Sequence, residues 1–156
     1  MAFTVTRGTL ENNSLLFLRD VLRENLTDPL TGDDARSSAS DWIVKSPLKN
    51  EDIDLPMVIL DSTSVSERRI TFRMAVPVSI TVGIMIWAEK IQHRDELADD
   101  VKEILQDDSK TDGTNTIVSQ GFQYNTSESR NNDGYIKDHS ELLRIKEMDI
   151  TFDVMK

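Results

Sequence analysis

The stretch Arg69-Ile70-Thr71-Phe72-Arg73-Met74-Ala75-Val76-Pro77-Val78-Ser79-Ile80-Thr81-Val82-Gly83-Ile84-Met85-Ile86-Trp87 carries an apolar residue at every even position from Ile70 to Ile86. Only a pleated strand puts every second side chain on one face, so this run is extended backbone. At about 3.3 Å per residue it would reach about 63 Å, well past a typical strand. Pro77 offers no ladder donor, so a bend or bulge is expected near Ala75–Pro77, or else a strand that leaves the domain as an arm.

Outward from that run the periodicities change. Upstream, Met57–Leu60 is a short apolar run after Pro56, read as a strand buried on both faces. Downstream, Leu97, Ala98, Val101, Ile104 and Leu105 form one stripe, with Arg94, Asp95, Asp99, Lys102 and Glu103 on the wet face. That spacing predicts a helix over 91–106. A second helix is predicted over 12–26 from Leu15, Leu18, Val21, Leu22 and Leu26, with Asn12, Asn13 and Ser14 able to cap it and Pro29 ending it. Trp42-Ile43-Val44 reads as a short strand closed by Pro47. Thr116–Tyr124 alternates weakly and is expected to be a strand. Leu142–Val154 closes the chain as another, with a bulge predicted at Lys146–Glu147 to bring Leu143 and Ile145 onto the face of Met148, Ile150, Phe152 and Val154. Residues 27–54 and 125–139 are polar and read as loop insertions, with a turn at Asp133-Gly134. The order of elements predicts an α+β fold: a mostly antiparallel β-sheet with two helices packed on one face, in a single domain spanning 1–156.

Composition narrows the function. The net charge is −10, with 18 Asp and 10 Glu against 8 Lys and 10 Arg. Nucleic-acid binding needs cations on phosphates, and only Arg68, Arg69 and Arg73 cluster, so free-standing DNA binding is disfavoured. An Asp-rich, Lys-poor surface also suits high-salt solvent, where screening reduces self-repulsion, which raises a halophilic source. The absence of cysteine excludes disulfides, thiolate zinc sites and cysteine nucleophiles. Met1–Glu11 lacks the apolar core of a signal peptide, and Met74–Ala88 is too short for a span, so the expectation is a soluble intracellular protein without a membrane partner. The sequons at Asn12, Asn25 and Asn125 are accordingly read as chance.

Candidate chemistry is thin. Asp108 to Gly113 resembles the start of a calcium loop, but Lys110 fills a ligand place and Ser119 stands where the bidentate Glu belongs, so an acidic turn is the better reading. Asp54, Asp61 and His93 could in principle serve a metal-dependent hydrolase. Asp100 and Lys102, the other nuclease-like pair, would point about 200° apart on a helix. His93 and His139 lack the spacing of a helical metal site, and no glycine-rich phosphate loop is present. No catalytic, cofactor-binding or metal residue is therefore assigned, and a non-enzymatic protein is expected. Trp42, Arg69, Phe72, Met74, Trp87, Tyr124 and Tyr135 are the candidate subunit-interface residues, large or cationic groups of the kinds that anchor interfaces, with core or rim packing the safer reading for the two tryptophans.

Leu55-Pro56-Met57-Val58-Ile59-Leu60, the alternating strand ending Ile84-Met85-Ile86-Trp87-Ala88, and the helix Arg94-Asp95-Glu96-Leu97-Ala98-Asp99-Asp100-Val101 together resemble the tail-completion, or tail-terminator, proteins of tailed viruses. The likeness runs from about Leu10 to Val154 as an order of elements. It implies a ring, usually hexameric, that caps the finished tail tube and joins it to the neck, with tail tube and connector proteins as partners and genomic DNA passing through unbound. A neck adaptor or stopper is the neighbouring alternative. A small acidic cellular module that recruits a partner through its sheet edge is the alternative from another class.

Overall fold

The computed structural model describes residues 10–45, 55–67, 78–135 and 142–154. Helix α1 (Leu10–Asn25) leads through two single-turn 3-10 helices into β1 (Ile43–Val44); β2 (Met57–Glu67) and β3 (Val78–Ala88) follow, then α2 (Ile91–Gln106). Three strands close the chain: β4 (Phe122–Asn131), β5 (Gly134–Tyr135) and β6 (Leu142–Val154). The sheet order is β1-β2-β3-β6-β4, with β5 also pairing β6. Every pairing is antiparallel except β1 with β2. This is the expected α+β architecture.

Both helices pack on one side of the sheet. The even residues of β3, Val78 to Ile86, join Met148, Ile150, Phe152 and Val154 of β6 beneath Leu18, Val21 and Leu22 of α1 and Leu97, Val101 and Leu105 of α2. Phe122 stacks on Phe17 at 5.6 Å and meets Phe152 edge-on at 5.8 Å, locking β4 and β6 to α1. The apolar helix stripes predicted from spacing are buried, but Arg94, expected on the wet face of α2, is buried with them.

Residues 69–77 of the long alternating run lie outside the described residues, so its bend at Ala75–Pro77 does too. Its described part, from Val78 onward, is strand, and Val78 pairs with Glu67. β2 is therefore far longer than the four residues its apolar core suggested. A bulge at Asp61, between Leu60 and Ser62, explains why. Before the bulge Val58 and Leu60 face the helices; after it Thr63 and Val65 do, because one extra residue reverses the alternation.

Three further expectations are corrected. The bulge predicted at Lys146–Glu147 is absent: β6 runs against β3 in unbroken register from Val154 to Arg144. Leu143 and Ile145 thus remain on the side away from the helices, Ile145 opposite Trp87. Leu143 is buried there. The strand expected over Thr116–Tyr124 begins only at Phe122, after a 3-10 turn at Val118–Gln120 and a left-handed Gly121. Lastly, residues 125–131 belong to β4 rather than to a loop.

Candidate assembly surface

With the helices covering one face, the other face and the sheet's borders remain for function. The far face divides in two. At one end Val44, Met57 and Ile59 are buried beside half-buried Leu55, Met85 and Trp87. At the other end the odd residues of β3 and β6 are polar. Ser79 Oγ donates to Asp153 at 3.0 Å, the Thr81 and Thr151 hydroxyls bond at 2.9 Å, and Asn125 reaches Asp153 at 3.2 Å from the β4 bulge. Gly83 has no side chain to fill its place in this lattice. A shallow cavity of about 130 Å³ lies there, bordered by Asp61, Met85, Arg130, Glu147 and Asp149.

The carboxylates around that hollow are not an open ligand set. Glu147 accepts from Asn132 and from Arg130, the latter at 2.5 Å, and these bonds hold its carboxyl below the usual range. Among the described residues no three His, Asp or Glu side chains are placed to hold a metal ion. Asp61 borders the far-face hollow. His93 sits on α2, which packs against β3 and β6 from the opposite side. The sheet separates the two, and Asp54 lies outside the described residues. The Asp108–Gly113 segment is a hydrogen-bonded turn. Asp107 accepts from Ser109, and Asp112 accepts from the amides of Thr114 and Asn115.

The border of the sheet is more informative. Among the described residues β4 pairs only with β6, leaving its other side as an open edge. The strand is 10 residues long, and most of it past Tyr124 is exposed. Its partner at the other border, β1, has two residues. A long edge with free amides and carbonyls is a template for another strand. Sequence patterning missed it because a strand wetted on both faces carries no apolar alternation; the Ser and Thr content of 126–129 was the remaining signal.

The candidate interface residues do not gather at that edge. Trp42 is 2 % exposed in the core, under the Arg36 guanidinium at 4.9 Å, so of its two readings core packing holds and the interface anchor does not. Trp87 is half-buried on the far face. Tyr124 lies on β4 but faces the helices, packing edge-on against Phe152 and donating to Ser127 Oγ at 2.8 Å. Tyr135 lies in β5, paired with Leu142. Arg69, Phe72 and Met74 lie outside the described residues.

Charge completes the surface. Glu96, Asp99, Asp100 and Glu103 form an exposed acidic ridge on α2. Partial burial and then the repulsion of Glu103, Asp99 and Glu96 push the Asp100 carboxyl upward. Cations are instead spent internally: Arg94, buried on α2, bonds Asp95 at 2.9 Å and Asp133 at 3.2 Å, while Lys146 bonds Asp95 and Arg144 bonds Asp133. No helix among the described residues is long and apolar enough to cross a membrane. The chain matches no family model, and no curated protein matches it.

Proposed function

We propose that this chain is a structural subunit of a tailed-virus particle, one copy of a homo-oligomeric ring that terminates the tail tube and joins it to the neck. The observation that carries the reading is the β4 edge, open among the described residues, on an acidic protein most of whose described cations are in ion pairs. A ring subunit needs a border that pairs with other copies or with tube and connector proteins, and backbone edges supply such borders. DNA threading a ring is kept moving by like charge on the wall, and a net charge of −10 provides it. The chain acts here without catalysis, in the virion at the tail–neck junction; neck adaptor and stopper roles use the same properties.

The open edge favours one second reading, a small acidic cellular module that captures an extended peptide by adding it to β4. One experiment separates them. Purified protein is mixed with tail tubes from particles assembled without it and imaged by electron microscopy. Added density closing one end of each tube is the expected result. Bare tubes at saturating protein, with a host peptide bound instead, would transfer the assignment to the binding module.

A further inference from the structure

The geometry points to a specific occupant for the β4 edge: the same edge of a second copy, antiparallel and centred on Ser129. This goes beyond the ring reading: a two-fold contact closes on itself, so it describes the free subunit, whose paired β4 edges must part before either can serve as a border in a ring.

Three observations converge on that register. The first is hydrogen-bond phase. The Asn132 amide donates to the Ile145 carbonyl at 2.9 Å, continuing the β4–β6 ladder. Counting back by alternation, Arg130 and Glu128 turn their backbone groups toward β6, while Asn131, Ser129 and Ser127 turn theirs outward. Two such edges can bond only if outward residues meet outward residues. Every register centred on a residue meets this condition and those centred between residues do not; in the one centred on Ser129, Ser129 meets its counterpart and Ser127 meets Asn131 on either side.

The second is charge. Glu128 is directly opposite Asp149 on β6, two carboxylates side by side on the far face, and no cation among the described residues pairs with Glu128. Like charges directly opposite are destabilising in a sheet. In the Ser129-centred register the next strand places its own Arg130 opposite Glu128, twice by symmetry. Each Arg130 already bonds Glu147 through Nε, and its fork has further donors for Glu128. A register centred on Ser127 leaves Arg130 facing Tyr124, and one centred on Glu128 sets two glutamates together.

The third is the bulge. The β4 ladder is irregular between Tyr124 and Thr126 and regular from Thr126 to Asn131. The Ser129-centred pairing uses only the regular part. A register centred on Ser127 runs Ser129 into Asn125, at the bulge.

The test is sedimentation equilibrium of the full chain in low-salt buffer. The wild type is expected to be a dimer, and E128R and R130E each to weaken dimerisation roughly tenfold or more by setting like charges together. The double variant E128R/R130E restores the cross-strand pairs and should regain affinity. S129P removes an outward amide while sparing the ladder to β6, so it should leave a folded monomer by circular dichroism. A wild type that is monomeric at every concentration overturns the inference. So does an assembly that neither E128R nor S129P weakens, or a double variant as weak as the single ones.

Discussion

The Arg36 guanidinium grips Asp28 at 2.6 Å with both side chains withdrawn from solvent, at 5 % and 15 % exposure. Arg36 also donates to the Pro56 carbonyl at 2.5 Å and lies over the Trp42 ring. One side chain thus ties the turn after α1 to the start of β2 and the 3-10 turn before β1. Burial alone would raise the Asp28 carboxyl, but bonds from the Arg36 side chain and the amides of Arg36 and Leu30 hold it at about 2.

That depression fixes a pH dependence. The folded state binds the Asp28 proton more weakly than the unfolded chain does. Its contribution is therefore complete above the unfolded value near 4 and is lost as pH falls through about 2. Asp28→Asn should cost on the order of 2 kcal/mol at neutral pH, measured by urea denaturation. The gap between variant and wild type should close on acidification; a gap that persists at the lowest pH would contradict the assignment.

Arg94 and Asp133 support a second prediction. Arg94 is 5 % exposed, and with Arg144 it binds the one aspartate that precedes β5. Hydrogen bonding from Arg144, then a bond from the Ile145 amide, keeps the Asp133 carboxyl below its ordinary range. Arg94→Ala removes a buried stem as well as a charge, so it should destabilise by about 2 kcal/mol. Asp133→Asn, at an exposed position, should cost less. Faster hydrogen exchange at Ile145 in both variants is the site-specific readout.

How much of this was legible in the sequence follows from where water sits. α2 and β6 have the predicted bounds because each buries one face, and burial imposes a period. β3 and the short core of β2 were readable for the same reason. β4 beyond Tyr124, and β2 beyond Asp61, were not, because their polar residues satisfy an extended backbone without an apolar rhythm. The odd residues Leu143 and Ile145 differ for another reason. An apolar pair out of phase with Met148 implies a bulge only if one face is apolar, whereas the far face is itself apolar at that end, next to Trp87 and Met85. Trp42 is open to both a core and an interface reading in the sequence because a tryptophan's packing depends on long-range neighbours, here Arg36. The open edge depends on pairing order, which local sequence does not encode.

Asp100 supports a prediction of opposite sign to Asp28. Its carboxyl is raised, by partial burial first and then by its acidic neighbours, so the folded state disfavours its charged form. Stability contributed by the protonated group is present at low pH and lost as pH rises through the raised value. Asp100→Asn should therefore raise the melting temperature at neutral pH in low salt. Molar KCl should shrink the gain by screening Glu96, Asp99 and Glu103. A variant that melts lower than wild type in both buffers would remove the acidic ridge as a source of strain.

The bulge at Asp61 gives the sharpest test of how the fold is specified. The bulge absorbs one extra residue, so that Val65 faces the core after Leu60. Deleting Asp61 would close the bulge and leave Thr63 and Val65 toward the helices, since Leu60 and Ser62 already pair with the adjacent Ile84 and Gly83. Inserting one alanine between Ser62 and Thr63 instead reverses the phase. Ser64 would then face the helices and Val65 the far face, so the strand must break its pairing with β3 or bury a hydroxyl without a partner. The insertion should cost on the order of 3 kcal/mol or more, read from the urea midpoint and the loss of β signal in circular dichroism. The deletion keeps the register, so it should retain the β signal and lose far less stability. Equal losses in the two variants would mean that the bulge itself, and not the phase it sets, is what β2 requires.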